Sequence, residues 1–242
     1  QRMIVHLWSD QNPGVYFLVD RPTKKAAALG VIYAGVNPAQ MAPSRFFSFT
    51  SSDGLDLTGR INLPANVEKP PLILLTGSNI SEDASDDFVS EVQFFVSHGY
   101  AVARINHRGT TGFGTDFGRA GDMQIATGMV RDLIEGVQWL GRQGWIDRER
   151  VGLFTEDSGA ILGLPLAARK DIFKAVVSFN PSLDLTAWQA YHFLWRANRT
   201  DEELLAAMGG TKGLAAYRKA LDPVAAAEKI SIPVFISSGA AA

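Results

Sequence analysis

The chain has 242 residues, 23 basic against 25 acidic side chains, a net charge of −2, 46% hydrophobic residues and no cysteine. That composition excludes wholesale disorder, a disulfide framework, a thiolate metal site and a cysteine nucleophile, and the near-balanced charge gives nucleic acid no electrostatic footing. The length suffices for one well-buried domain, or for one domain plus a piece of another.

Residues 4–8 form a short apolar run, Asn12-Pro13-Gly14 is turn chemistry, and residues 15–19 read as a second strand. A further turn at residues 20–25 leads to a third strand over 26–33. Three strands at this spacing suit one sheet of a larger β structure and cannot fold usefully alone. Residues 37–43 (NPAQMAP) read as a linker. Strands at 46–49 and 55–63 flank Ser52-Asp53-Gly54, a hairpin signal. After Pro70-Pro71 the pattern changes to continuous apolar strands at 72–75, 100–105, 151–154, 175–179 and 232–237. Helical spacing separates them at 85–97, at Met129, Leu133, Val137 and Leu140, at 158–168, and at 201–208 and 214–221. Buried strands alternating with helices predict parallel βαβ units and a doubly wound, mostly parallel sheet, the α/β class. There is no internal repeat. No apolar run approaches the roughly 20 residues that span a bilayer, and no leader pattern follows Gln1. Gln1 as first residue leads us to expect a chain cut from a longer protein.

In such sheets ligands sit outside the C-terminal strand ends. Three loops stand there: Thr76-Gly77-Ser78-Asn79-Ile80, residues 106–122 (NHRGTTGFGTDFGRAGD) and Thr155-Glu156-Asp157-Ser158-Gly159. The last has the context of a nucleophile elbow, in which G-x-S-x-G puts a serine on a strained turn between strand and helix. Its centre here is Asp157, and of the two glycines only Gly159 is present. Centring on Ser158 instead puts Glu156 and Ala160 at the glycine positions, a poorer match. The histidines, His6, His98, His107 and His192, are too scattered for a zinc cluster. Gly109, Gly112 and Gly114 lack the spacing and lysine of a phosphate-binding loop. Glu156 and Asp157 could in principle act as paired acids, but neighbours on a tight turn diverge.

The stretches SDQNPGVYFLVDRPTKK, SSDGLDLTGRINLP, EVQFFVSHGYAVARINHRGTTGFGTDFGRAGD, DLIEGVQWLGRQGWIDRERVGLF and IPVFISSG resemble the C-terminal part of prolyl oligopeptidase family proteins, nearest in texture to the acylaminoacyl-peptidase and dipeptidyl-peptidase-like members. The resemblance implies an α/β-hydrolase fold preceded by a few β-propeller strands. Residues 1–43 would be a partial last blade plus linker, and residues 44–242 a peptidase-like catalytic domain, incomplete at its C-terminal end. It puts Asp157 at the nucleophile position and Ser158, Ser78 and Asn79 at oxyanion-hole positions. His107, Arg108, Trp188 and His192 would line the cleft, with the aromatic neighbours of His192 as a cleft wall. Arg108 and Asp122 flank the glycine-rich loop, where arginine–carboxylate bonding would fix the loop rather than hold substrate.

Set against the family, the departures carry the functional expectation. The serine is replaced by Asp157, the HGGP-like loop reads Gly77-Ser78-Asn79-Ile80, the triad acid falls near Ala242, and the triad histidine lies beyond it. A triad needs nucleophile, base and orienting acid together. The expectation is therefore a degenerate, non-catalytic site. The alternatives are an active serine-type peptidase or esterase cleaving short peptides or acyl-peptides, and an aspartate-nucleophile hydrolase. No metal or cofactor is expected. As partners we expect a peptide or small acyl substrate if the site works, neither nucleic acid nor membrane, with a homo-oligomer as an option. The compartment stays open, with the cytoplasm slightly ahead.

Overall fold

The computed structural model describes residues 1–77, 79–183, 212, 213, 215, 216, 219 and 221–239. Strands β1 (Arg2–Leu7), β2 (Val15–Asp20) and β3 (Lys25–Val31) form an antiparallel sheet in that order. The Asn12 side chain accepts from the Gly14 N–H and Gly14 takes φ 131°, so the turn read from Asn-Pro-Gly is made by those residues. This small sheet leaves Ile4, Leu7, Leu29 and Val31 more than half exposed. Polar contacts tie it to the rest of the chain: the Trp8 indole donates to Asp87, Asp10 accepts from the Ser44 N–H, and Gln93 binds the carbonyls of Asp10 and Ala42.

A short helical turn, Pro38–Gln40, leads into the second sheet. Its strands are β4 (Ser44–Thr50), β5 (Asp56–Asn62), β6 (Pro71–Thr76), β7 (Ala101–Asn106), β8 (Asp147–Glu156), β9 (Phe173–Phe179) and β10 (Val234–Ser237), in the spatial order β10-β9-β8-β6-β7-β5-β4. β4, β5 and β7 pair antiparallel, and every pair from β7 through β6, β8 and β9 to β10 is parallel. The helices are α1 (Ser90–Ser97), α2 (Thr115–Arg119), α3 (Val130–Arg142), α4 (Ala160–Ala167) and α5 (Pro223–Ala227). This is the α/β-hydrolase arrangement, a mostly parallel sheet between helices.

Side chains alternate across a strand, so each central strand feeds two cores. Leu72 and Leu74 of β6 join Leu133, Val137 and Leu140 of α3 and Ile161, Leu162 and Leu166 of α4. Ile73 and Leu75, one residue out of phase, join Val92 and Val96 of α1 with Val102 and Phe154. The i, i+4, i+8, i+11 face read for α3 is the buried one, with one wider, π-type turn (Ile125–Met129) placing Met129 just ahead of the helix.

Two expected helix starts shift. The helix expected from 85 begins at Ser90. Residues 84–87 are drawn out of helical geometry by the sheet edge and the small sheet. Arg60 binds the Ala84 carbonyl, Arg104 the Ser85 carbonyl, Asn106 the Ala84 N–H and Trp8 the Asp87 carboxylate. The helix expected from 158 begins at Ala160, because residues 157–159 form a tighter turn. Of the helices expected at 201–208 and 214–221, the first lies outside the described residues and so does half of the second.

Candidate active site

The turn after β8 has the backbone of an elbow. Asp157 takes φ 42°, in the left-handed region where a side chain costs about 1–2 kcal/mol, and its side chain is exposed. Gly159 lies against the loop after β6, where an added Cβ would stand 2.1 Å from the Gly77 carbonyl oxygen. The second glycine of the motif is thus explained by contact between the two loops.

The missing first glycine has a local compensation. Thr155 fills that position, its Oγ1 donating to Ser178 Oγ at 2.8 Å, and its methyl faces Gly163 of α4. A Cβ on Gly163 would come within 2.7 Å of Thr155 Cγ2. Strand and helix keep their close approach because the small residue sits on the helix instead of the strand.

In the loop after β6, the Ile80 N–H donates to Ser158 Oγ at 3.3 Å, and Asn79 Oδ1 accepts the Ser81 N–H at 2.9 Å. The expected oxyanion position Asn79 therefore spends its side-chain oxygen on its own turn. Ser78, Trp188 and His192 lie outside the described residues.

A cavity of about 190 Å³ opens beside the elbow, lined by Glu82, Asp83, Glu91, Arg104 and Glu156, with His107 in its wall. The Glu156 carboxyl is pushed above the usual range, first by partial burial and then by the charges of Glu91 and Glu82. His107 is buried, with Nδ1 2.7 Å from the Arg108 carbonyl, to which it must donate. Burial pushes its pKa down, against hydrogen bonds with the Arg108 and Ile80 backbones. A depressed histidine holds stability above pH ~6.5 that is lost as the pH falls from there towards the folded value. Urea midpoints should accordingly drop for the wild type between about pH 7.5 and 5.5, and His107→Asn should flatten that drop. An equal drop in both proteins would rule out His107 as its source.

Arg108, expected in the cleft wall, is not among the residues lining this cavity. Its guanidinium is bound to two carboxylates far away in sequence. Asp132 of α3 accepts from Nε, Nη2 and the Arg108 backbone N–H at 2.9, 2.7 and 2.9 Å. Asp53 of the β4–β5 turn accepts from Nη1 and Nη2 at 2.9 and 3.0 Å and also pairs with Arg131. Arg108 is held well above its ordinary pKa, chiefly by Asp132, and Asp53 well below its own, chiefly by Arg108. The expectation that this arginine fixes its loop agrees with these contacts. Sequence reading missed Asp132, whose period along α3 marks it only as one more helix residue, and Asp53, which looked like turn chemistry alone.

Comparison with known proteins bears on the family and the fold. The model of the prolyl oligopeptidase family matches residues 86–240. The chain is 27% identical to dipeptidyl aminopeptidase BIII of Pseudoxanthomonas mexicana over 98% of its own length and 36% of that protein. It is 30% identical to human dipeptidyl peptidase 8 over 62% of its length, 17% of that protein. Among solved structures, acylaminoacyl peptidase of Pyrococcus horikoshii superposes with a TM-score of 0.76 at 26% identity, over 98% of this chain and 38% of that one. The chain thus spans little more than a third of the relatives that it matches along nearly its whole length.

Proposed function

This chain belongs to the prolyl oligopeptidase family, and from that membership we propose that its α/β-hydrolase domain has a degenerate nucleophile elbow, is non-catalytic toward peptides, and serves in binding or assembly. The observation that carries this reading is Asp157 at the apex of the elbow, in strained backbone, where the family's chemistry needs a hydroxyl. Removing a triad serine costs on the order of 10⁶ in kcat. An ionised carboxylate cannot substitute for it in acyl transfer, since it has no proton to give the base and a different reach. In the same reading, residues 1–43 are a partial last blade of a propeller plus a linker, supported by a three-stranded sheet whose apolar residues stay exposed.

The exposure of Asp157 favours one other reading, a carboxylate nucleophile acting on small electrophiles. Both are tested on the full-length protein. A fluorophosphonate probe should leave it unlabelled, and intact mass after incubation with small alkyl halides or epoxides should be unchanged. Labelling that Ser158→Ala abolishes would overturn the non-catalytic reading in favour of a serine hydrolase. An ester adduct mapped to Asp157 would overturn it in favour of the carboxylate nucleophile.

A further inference from the structure

The segment after the β6 loop, Glu82-Asp83-Ala84-Ser85-Asp86-Asp87, carries four carboxylates in six residues. Its first half, Glu82, Asp83 and Ala84, lines the cavity beside the elbow. Two like charges bind it. Arg60 of β5 and Arg104 of β7 are direct cross-strand partners, an arrangement that repels unless something answers it. The segment answers it. Arg60 Nε donates to the Ala84 carbonyl at 3.0 Å and Nη2 to Asp86 Oδ2 at 2.6 Å, and Arg104 Nη2 donates to the Ser85 carbonyl at 2.9 Å. Asn106 Oδ1 takes the Ala84 N–H at 2.7 Å. At the far end Asp87 accepts from the Trp8 indole and from the Ser85 hydroxyl, both at 2.5 Å.

Among the described residues, every hydrogen bond that ties residues 84–87 to the two sheets has a side chain at one end. The segment adds no strand to either sheet, so it can leave both without breaking a ladder. The Asp86 side chain is 64% exposed, so its pair with Arg60 is weak by itself and is screened by salt. Opening is opposed because it would leave two guanidiniums opposed on neighbouring strands with their carbonyl and carboxylate partners gone. We propose that residues 82–87 are an ionic strap, clamped by Arg60 and Arg104 and tied at its end to Trp8, that opens and closes one wall of the cavity. Access to the cavity matters whether the elbow catalyses or only binds, so the strap does not depend on the reading of Asp157.

Carbodiimide coupling to glycine ethyl ester, followed by mass spectrometry on the full-length protein, reads access to the cavity at Glu156, which lines it. The initial rate at Glu156 should rise about fivefold in Arg60→Gln, which removes the charge of the clamp, and about threefold in Trp8→Phe, which removes the indole N–H and keeps a ring beside His6. Glu149 of β8, whose side chain is 73% exposed, should react alike in all three proteins. Raising the salt from about 0.05 to 0.5 M should speed the wild type toward the rate of Arg60→Gln. In hydrogen exchange the Ala84 amide, buried and bonded to Asn106, should exchange about tenfold faster in both variants while the amides of β6 keep their protection. A Glu156 rate unchanged in either variant overturns the proposal, and so does a wild type indifferent to salt or an Ala84 amide equally protected in all three proteins. Should Arg60→Gln unsettle the sheet itself, seen as lost protection along β6, Trp8→Phe decides by itself. Fluorophosphonate labelling reads the elbow and these rates read the strap, so either reading can fail without the other.

Discussion

Asp132→Ala is expected to cost the fold about 3–5 kcal/mol, the usual penalty for removing one partner of a buried ion pair. The Asp132 side chain is wholly buried and that of Arg108 is 9% exposed, so the substitution leaves a largely buried guanidinium held by Asp53 alone, with its Nε short of an acceptor. It also frees the Arg108 N–H, which the same carboxylate holds. Asp53 cannot make good the loss, because both its oxygens are already used by Arg108. Asp53→Ala makes the useful contrast. Its carboxylate is 39% exposed, and an ion pair open to solvent contributes about 1 kcal/mol or less. Urea denaturation of both variants reads the difference. An Asp132→Ala loss no larger than that of Asp53→Ala would mean that Arg108 is not the buried tie between α3 and the glycine-rich loop. Replacing the pair together, Arg108→Met with Asp132→Leu, should recover much of the loss, because no charge is then left alone.

The second large effect concerns the elbow. Gly163→Ala is expected to destabilise by about 2–3 kcal/mol, since overpacking a filled core forces neighbours off their positions. Its methyl would meet Thr155 Cγ2 at 2.7 Å, and Thr155 is held in place by its hydroxyl bond to Ser178. Thr155→Gly removes the obstacle, so Gly163→Ala should cost less in a Thr155→Gly background than in the wild type, with a coupling of about 1–2 kcal/mol in a double-mutant cycle. Strict additivity would show that the two positions do not share the space. A threonine at the first-glycine position leaves the elbow well packed, so the departure from G-x-S-x-G at this position does not unmake the turn.

Much of the fold was legible because its signals are local. Continuous apolar runs around Leu72–Leu75 and Val151–Phe154 read as central strands, and the Met129-to-Leu140 period as a buried helix face. Asn12-Pro13-Gly14 marked its turn, and Asp157 stood out because the motif around it demands a serine. Where the reading slipped, a distant partner had intervened. Residues 85–89 have helical spacing, yet the backbone at their start is claimed by Arg60, Arg104 and Asn106, and the Asp87 carboxylate by Trp8.

The order of residues alone was enough for the α/β class, the resemblance to a hydrolase family, and the identity of the residue at the elbow's apex. Those properties come from short-range periodicity and from residue types at fixed spacing. The folded arrangement was needed to see that Arg108 is a buried tie to Asp132 and Asp53, that Gly163 makes room for Thr155, and that Ser158 caps the Ile80 amide. The Asp53 and Ser158 contacts join residues 55 and 78 positions from their partners. Hydrogen bonds and steric fit act over a few ångströms in space, and a strand-by-strand reading cannot tell which of many polar residues the folded sheet brings within that range.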